Sequence, residues 1–231
     1  MKEVLLVCLA GGVCALDTTA AWQVMLSQPL VSASIAGLLT GAPATGAAVG
    51  VLLQMLWSGS IPVGARPMPD APVASVSGVW FASALLDCRP DFPVPLAQIA
   101  GVAAALGVAL VGRETIMLER ELNRRLFARF LTRLKTGRVG DPGGVQLAGA
   151  ALAFSRGFAL CLVAIGLLTA LTGPACRLAP PAACTGAHAT VLVGALGVGV
   201  LFNTFVRRSR TRLAAFAGGL VFAFLLRDVL G

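Results

Sequence analysis

Long apolar segments, separated by two clusters of basic residues, constrain this chain more than any other feature. Of its 231 residues, 57% are hydrophobic and only 12% are charged, which leaves too little polar surface for a water-soluble globule. A bilayer core about 30 Å thick needs about 20 apolar residues per helix. The chain is therefore predicted to be an all-α integral membrane protein with about seven transmembrane helices. The candidate spans are residues 4–16, 29–41, 71–87, 95–112, 146–171, 189–206 and 213–230.

The two basic clusters orient these spans. One covers residues 113–138 and the other runs from Arg207 to Arg212. Lys and Arg are retained on the cytoplasmic side of a membrane, so both clusters are placed in the cytoplasm. The N-terminus is then cytoplasmic, while the turn after residue 87 and the loop 172–188 are external. Because the basic residues are explained by this retention and lack interleaved aromatic residues, no nucleic-acid partner is expected.

The first basic cluster also has a helical pattern. Apolar residues recur in it at every fourth position, at Leu118, Leu122, Leu126, Phe130 and Leu134. This spacing predicts an amphipathic helix along the cytoplasmic surface, within a connector of residues 113–145. A solvated connector whose charges only fix the topology is the alternative. The whole chain, 1–231, is predicted to be a single membrane domain, with an N-terminal half of residues 1–112 and C-terminal helices in 146–231.

The segment 45–70 begins like a membrane helix but cannot cross a bilayer. Its apolar run, GAAVGVLLQMLW, has twelve residues and would be about 18 Å long as a helix. Helix-breaking Gly59, Pro62 and Gly64 follow it. Irregular backbone at membrane depth is tolerated only where protein or a water-filled cavity surrounds it, because unpaired amides cost several kcal/mol in lipid. The segment is therefore predicted to be a re-entrant hairpin of the kind that transporters use to contact a solute.

Short motifs in the first ninety residues follow one another in a recognisable order. They are Leu16-Asp17, Gln23, the SQPL run that contains Pro29, the run TGAAVGVLLQ, and a loop with Gly59, Pro62, Gly64, Pro69 and Asp70. More weakly, Arg156 in AFSRGFAL and Asn203 in FNTFVRRSR extend the pattern. This ordered set resembles the membrane subunit IIC of the mannose–fructose–sorbose family of the bacterial phosphoenolpyruvate-dependent sugar phosphotransferase system.

The resemblance implies a function. Subunits of this kind translocate a hexose across the bacterial inner membrane, together with a second membrane subunit, IID, by an elevator-like displacement within a trimeric assembly. Soluble IIA and IIB proteins supply the phosphoryl group on their histidines. The chain is thus expected to be a non-catalytic membrane subunit with no phosphoryl-accepting residue and no cofactor.

Three positions depart from the family's pattern. Gln28 stands where the family usually has Arg, Ala42 where it has Asp, and Gln54 where it has Glu. These missing charges keep a second function open. The chain could be a transport-inactive homologue that acts as a membrane regulator, or a carrier for a solute other than a sugar.

Polar residues around the predicted hairpin are the candidate substrate ligands. Sugars offer many hydroxyl groups and no charge, so their sites use carboxylates and amides with an aromatic face nearby. The candidates are Gln54, Gln23, Asp70, Asp17, Gln28 and Trp57. Five of them have a structural alternative. Gln54 could be a helix-packing amide, Asp70 a helix cap, and Trp57 a packing residue or interfacial anchor. Asp17 could reach water or an Arg, and Gln28 could cap the next helix or hold the hairpin.

Arg156 is interpreted as a structural charge, with a role as a substrate ligand as the alternative. It lies about ten residues into a predicted outward helix, roughly 15 Å deep by helical rise. A buried Arg at that depth is costly unless it is paired, and Asp17 or Asp70 is the expected counter-ion.

The six cysteines show no metal-binding or redox spacing, so no metal site is expected. Cys176 and Cys184 share the predicted external loop. They could form a disulfide if that loop faces an oxidising compartment, and free thiols are the alternative.

Overall fold

The part of the chain that can be described is a bundle of six α-helices. A computed structural model describes residues 2–178, apart from 22, 59–67, 90 and 137–140, together with residue 195. The helices are α1 (Lys2–Thr19), α2 (Pro29–Leu39), α3 (Pro43–Trp57), α4 (Ala71–Cys88), α5 (Val94–Lys135) and α6 (Pro142–Leu178). The all-helical prediction is confirmed for these residues. Apart from residue 195, the predicted spans 189–206 and 213–230 lie outside them.

Proline marks the start of five of these helices. Each of them has a proline at its first or second position: Pro29, Pro43, Pro72, Pro95 and Pro142. Proline suits this position because its fixed φ is helical and its missing N–H would have no partner within the helix. The side chain of Asp141 adds a cap to α6 by accepting from the N–H groups of Gly143 and Gly144 at 2.9 and 3.0 Å.

The helices α2 and α3 form a tight hairpin of two short helices. They contain 11 and 15 residues and are about 16 and 22 Å long, less than the thickness of a bilayer core. Gly41 adopts a φ of 71° in the turn, and the N–H of Ala42 donates to the carbonyl of Gly37 at 2.8 Å. This is the usual glycine-dependent end of a helix. The predicted span 29–41 is thus a short helix paired with α3.

The re-entrant hairpin of residues 45–70 stays a prediction. The helix α3 ends at Trp57, and α4 begins at Ala71. Most of the predicted tip lies in residues 59–67, outside the described residues. The structure therefore gives the first leg of the segment, within α3, and its last residues, 68–70, but not its turn.

The helices α5 and α6 are longer than the spans predicted within them. With 42 residues, α5 is about 63 Å long and continues without a break from the predicted span 95–112 into residues 113–135 of the predicted amphipathic connector. The loop is predicted to begin at residue 172, but α6 continues to Leu178 and its end packs Cys176 into a hydrophobic cluster. The rest of that loop, Cys184 included, lies outside the described residues. Three of the described helices, α4, α5 and α6, are long and apolar enough to cross a membrane. The count of about seven spans stays a prediction.

The helix α4 occupies the centre of the bundle. It packs against each of the other five helices, and small residues on its surface permit close approach. A Cβ at Gly78 would lie 2.5 Å from the carbonyl oxygen of Gly101 on α5. Buried Ser75 and Ser77 return their hydroxyls to carbonyls of α4 itself, at 2.7 and 2.8 Å. The centre of the bundle is therefore tightly packed, and these two hydroxyl groups are satisfied within the helix.

The close contact between α2 and α3 can be tested at Gly46. A Cβ there would lie 2.7 Å from both the carbonyl oxygen of Ala33 and the Cα of Gly37. Because both are backbone atoms, Gly46→Ala must push the helices apart, and overpacking of this kind costs about 1–3 kcal/mol. We expect a lower midpoint of thermal unfolding for the detergent-purified variant. Gly166→Ala is the control, since a Cβ there meets open space; equal midpoints for the two variants would contradict the contact.

Candidate functional site

A buried cluster of three charged side chains joins α4, α5 and α6. Arg156 donates through Nη1 to Oδ2 of Asp70 and through Nε to Oε2 of Glu119, the latter at 2.5 Å. The three side chains are at most 7% exposed. Thr115 lies beside them, with its hydroxyl 3.3 Å from Nη1 of Arg156. Two carboxylates therefore face one guanidinium inside an apolar bundle.

Local sequence explains how the carboxylates reach Arg156. Asp70 directly precedes α4, but its side chain makes no cap hydrogen bond and is directed at Arg156 instead. Gly112 of α5 leaves room for it, because a Cβ at that position would collide with the side chain of Asp70. Gly112, Thr115 and Glu119 recur at helical spacing on one face of α5, so one helix supplies both the space and the second carboxylate.

Arg156 thus has one of the two counter-ions that the sequence suggested, and a second that it did not. Asp70 was a candidate partner, whereas Glu119 lies in the basic segment interpreted as a connector. The helical spacing from Gly112 to Glu119 was the signal in the sequence that could have indicated this second counter-ion. It becomes recognisable only once α5 is seen to continue past residue 112.

Two polar atoms of the cluster lack a hydrogen-bond partner among the described residues. They are Oδ1 of Asp70 and Nη2 of Arg156, and both are buried. Buried polar groups are nearly always satisfied, so a free acceptor and a free donor in one cluster call for an explanation. A groove of about 450 Å³ between α5 and α6 is lined in part by Glu119 and Arg156. Asp70 does not line this groove. A free donor and a free acceptor together match a hydroxyl group, which both donates and accepts.

Two of the candidate amides are hydrogen-bonded to each other. Nε2 of Gln54 donates to Oε1 of Gln28 at 3.1 Å, and Oε1 of Gln54 accepts from the N–H of Leu30 at 3.3 Å. Gln28 immediately precedes α2, and Leu30 lies in its first turn, where backbone N–H groups have no partner within the helix. The amide pair therefore joins α3 to the start of α2.

The remaining candidates have separate environments. Asp17 is 2% exposed, and its two oxygens accept from the N–H groups of Val24 and Ser27 at 2.6 and 2.8 Å. Gln23 is exposed in the same loop, with a φ of 53°. Trp57 is half-buried at the end of α3 and packs against the main hydrophobic core. In this structure the carboxylate of Asp17 holds the backbone of the loop between α1 and α2.

The charge cluster can be tested by removing its cation. Arg156→Met leaves two buried carboxylates without a counter-ion, and breaking a buried ion pair in this way costs about 3–5 kcal/mol. We expect a large fall in the midpoint of thermal unfolding, and recovery of most of it when Asp70→Asn and Glu119→Gln are added. The control is Arg125→Met, which removes an ion pair with Glu121 whose arginine is 62% exposed and is worth at most about 1 kcal/mol. Similar midpoints for Arg156→Met and Arg125→Met would contradict the cluster.

The amide pair predicts that stability depends on which of positions 28 and 54 carries the positive charge and which carries the negative charge. Both Gln28→Arg/Gln54→Glu and the reverse double variant, Gln28→Glu/Gln54→Arg, place opposite charges side by side. Only the first keeps an oxygen at position 54 to accept from the N–H of Leu30. One hydrogen bond contributes about 0.5–1.5 kcal/mol, so the first variant should unfold at the higher temperature. The dipole of α2 favours Glu over Arg at position 28 by about 0.3–1 kcal/mol, so equal or reversed unfolding temperatures would contradict a dominant contribution from the bond to Leu30.

Comparisons with known proteins agree with this architecture. Residues 1–230 match the sequence model of a family described as the PTS system sorbose-specific IIC component. A cryoEM structure of the mannose transporter ManYZ in complex with microcin E492 contains a chain with 16% sequence identity and a TM-score of 0.60, with 98% of this chain and 95% of that chain covered. A structure described only as a membrane protein has 18% sequence identity and a TM-score of 0.67, with 100% of this chain and 92% of that chain covered. No curated protein matched.

The family match covers nearly the whole chain, and the two solved structures share its fold at low sequence identity. The apolar helices and the buried polar cluster are consistent with a membrane transport component. The chain therefore belongs to the family of sorbose-specific IIC components of the phosphotransferase system.

Proposed function

We propose that this chain is a sugar-translocating IIC subunit, which binds a hexose-like sugar within the membrane for uptake coupled to phosphorylation. Membership of the IIC family supports this function, as does the likeness of its fold to a chain of a mannose transporter structure. The observation that carries the proposal is the unpartnered pair of polar atoms, Oδ1 of Asp70 and Nη2 of Arg156.

A sugar hydroxyl matches this pair of atoms. Its O–H donates to the free oxygen of Asp70, and its oxygen accepts from the free nitrogen of Arg156. Hydrogen bonds to charged groups are about twice as strong as those between neutral groups. An apolar surrounding strengthens them further, because water does not compete for the same atoms. A neutral solute with several hydroxyl groups therefore suits the cluster better than an ion.

Two of the candidate ligands lie within the predicted hairpin. Gln54 lies near the end of α3, and Asp70 immediately precedes α4. An amide nitrogen has two N–H groups, and Gln54 uses one of them on Gln28. The second can donate to a solute held between the legs of the segment 45–70. We place the aromatic side chain of Trp57 beside the same solute.

The partners follow from the proposed function. A IID-like membrane subunit completes the permease, and soluble IIA and IIB proteins carry the phosphoryl group. The assembly is a trimer in the bacterial inner membrane, with the N-terminus of this chain in the cytoplasm. None of these steps requires this chain to hold a phosphoryl group.

The amide pair weighs against the alternative of a transport-inactive regulator. That alternative rests on three missing charges, at Gln28, Ala42 and Gln54. The Arg and Glu usual at positions 28 and 54 have opposite charges, and these two side chains touch in the structure. Replacing both by Gln removes no net charge and keeps a direct bond. Two of the three departures are therefore a paired replacement of an Arg and a Glu, which leaves the net charge unchanged.

The test is solute binding by the purified chain, co-expressed with its IID-like partner, measured calorimetrically against a panel of hexoses. Asp70→Asn keeps the shape of the side chain and leaves Arg156 paired with Glu119, so folding should be preserved. Loss of a hydrogen bond to a charged group costs about 1.5–3 kcal/mol, which lowers affinity about 10- to 150-fold. Asp141→Asn, at the exposed cap of α6, is the control and should bind as the unsubstituted protein does.

Two outcomes would count against the proposal. Unchanged hexose affinity in a folded Asp70→Asn variant would remove the charge cluster from the binding site. Absence of binding to every hexose, with the assembly intact, would favour the regulator or a carrier of another solute.

A further inference from the structure

The groove beside the charge cluster is part of a longer one. The hollow of about 450 Å³ adjoins another of about 500 Å³, and the two share the side chains of Leu122, Leu152 and Ser155. Along α6 the lining extends from Ala148 to Val163, which is about 22 Å by helical rise. This α5–α6 groove is therefore longer than the apolar half of a bilayer, which is about 15 Å thick.

The end of the α5–α6 groove nearest the start of α6 is basic. Arg125 and Arg129 line it, and both are exposed. They are four residues apart on α5, so their like charges lie side by side on one face of the helix. Arg125 shares the carboxylate of Glu121 with Arg124, whereas Arg129 forms no ion pair with any described residue. This end of the groove therefore attracts an anion.

The other end of the α5–α6 groove is apolar. Two of its aliphatic side chains, those of Leu118 and Val163, are 60% and 59% exposed. Glu119 and Arg156 also line this end, but they are paired with each other and their side chains are at most 7% exposed. A groove with one cationic end and one aliphatic end matches an amphiphile that has an anionic head and an apolar chain.

We propose that the α5–α6 groove binds an anionic phospholipid of the cytoplasmic leaflet. The basic segment of α5 is predicted to lie on the cytoplasmic side, where anionic lipids give the membrane a negative surface. The lipid phosphate accepts hydrogen bonds from Arg125 and Arg129, because guanidinium groups suit phosphate geometry. An acyl chain lies along the aliphatic lining toward Val163. A soluble anion would use only the basic end, and an uncharged apolar helix only the other.

The lipid covers the charge cluster from the side of α5 and α6. Because Glu119 and Arg156 line the same hollow, an acyl chain there keeps water away from their ion pair and so strengthens it. A ligand that binds only the folded protein also raises its stability. The lipid site is separate from Asp70, which does not line the groove.

The experiment measures lipid binding to the purified full-length chain by native mass spectrometry. The protein is delipidated in detergent and titrated with phosphatidylglycerol or with phosphatidylcholine of the same acyl chains. We expect phosphatidylglycerol to bind more tightly and to raise the midpoint of thermal unfolding. Glycerol 3-phosphate, which carries the charge without the chain, should not displace it. Equal affinities for the two lipids, no binding of either, or displacement by glycerol 3-phosphate would overturn the proposal.

The basic end is tested with Arg125→Gln/Arg129→Gln. The matched control, Arg124→Gln/Arg133→Gln, removes the same charge from the same helix and also takes one arginine from Glu121, but lies outside the groove. At about 1 kcal/mol per arginine near a membrane surface, affinity for phosphatidylglycerol should fall about 30-fold in the first variant and much less in the second. Equal losses would indicate general attraction by a basic helix and would contradict a site in the groove.

The apolar end is tested with Ala159→Phe. Ala159 is exposed within the groove, and Ala170 is exposed on the same helix outside it. A phenyl ring at position 159 takes the space of the acyl chain, so phosphatidylglycerol should bind more weakly to Ala159→Phe and unchanged to Ala170→Phe. Full binding by a folded Ala159→Phe variant would show that the acyl chain lies elsewhere.

Discussion

The guanidinium of Arg156, buried between two carboxylates, is the interaction on which the arrangement of the long helices depends. A charge in an apolar bundle is tolerated only with partners of opposite sign in good geometry. The partners come from the start of α4 and from α5, while Arg156 itself lies on α6. A slip of any one helix by a turn, about 5.4 Å, would separate the charges. The cluster therefore fixes the register of three helices at once.

Small residues let the helices approach closely in this register, and further hydrogen bonds between helices stabilise it. Gly112 admits the side chain of Asp70, and Gly78 of α4 faces Gly101 of α5 at close range. Away from the cluster, the indole N–H of Trp80 lies 3.1 Å from the hydroxyl of Thr169 on α6. Hydrogen bonds between helices reinforce close packing in a membrane, where apolar contact alone does not distinguish protein from lipid. The short helices α2 and α3 pack onto this framework.

The sequence predicted the helices well because their signals are local. Apolar length gave the segments, and proline near the first turn marks where α2, α3 and α6 begin. The need of Arg156 for an acidic partner was also predictable, since it follows from the cost of burying a charge. The role of Glu119 was not, because the charges around it resemble a solvated surface. Only the continuation of α5 beyond Gly112 brings Glu119 beneath Arg156.

The α2–α3 hairpin shows a second limit of prediction from the sequence, since the hairpin depends on contacts between residues that are not adjacent in the chain. That Gly37 and Gly46 nearly touch is a property of the folded pair, and glycine in a membrane helix alone does not identify its neighbour.

The contact between Gln28 and Gln54 changes how departures from a family pattern are interpreted. Position by position, each replacement of a charge by an amide suggests lost function. In the structure the two amides form one hydrogen-bonded pair beside the N-terminus of α2, so the replacements belong to one contact. An amide pair keeps a donor and an acceptor there without fixed charge. Under the proposed function this pair would contact a neutral, hydroxyl-rich solute, whereas the charged cluster at Asp70 and Arg156 would supply the stronger hydrogen-bonding groups.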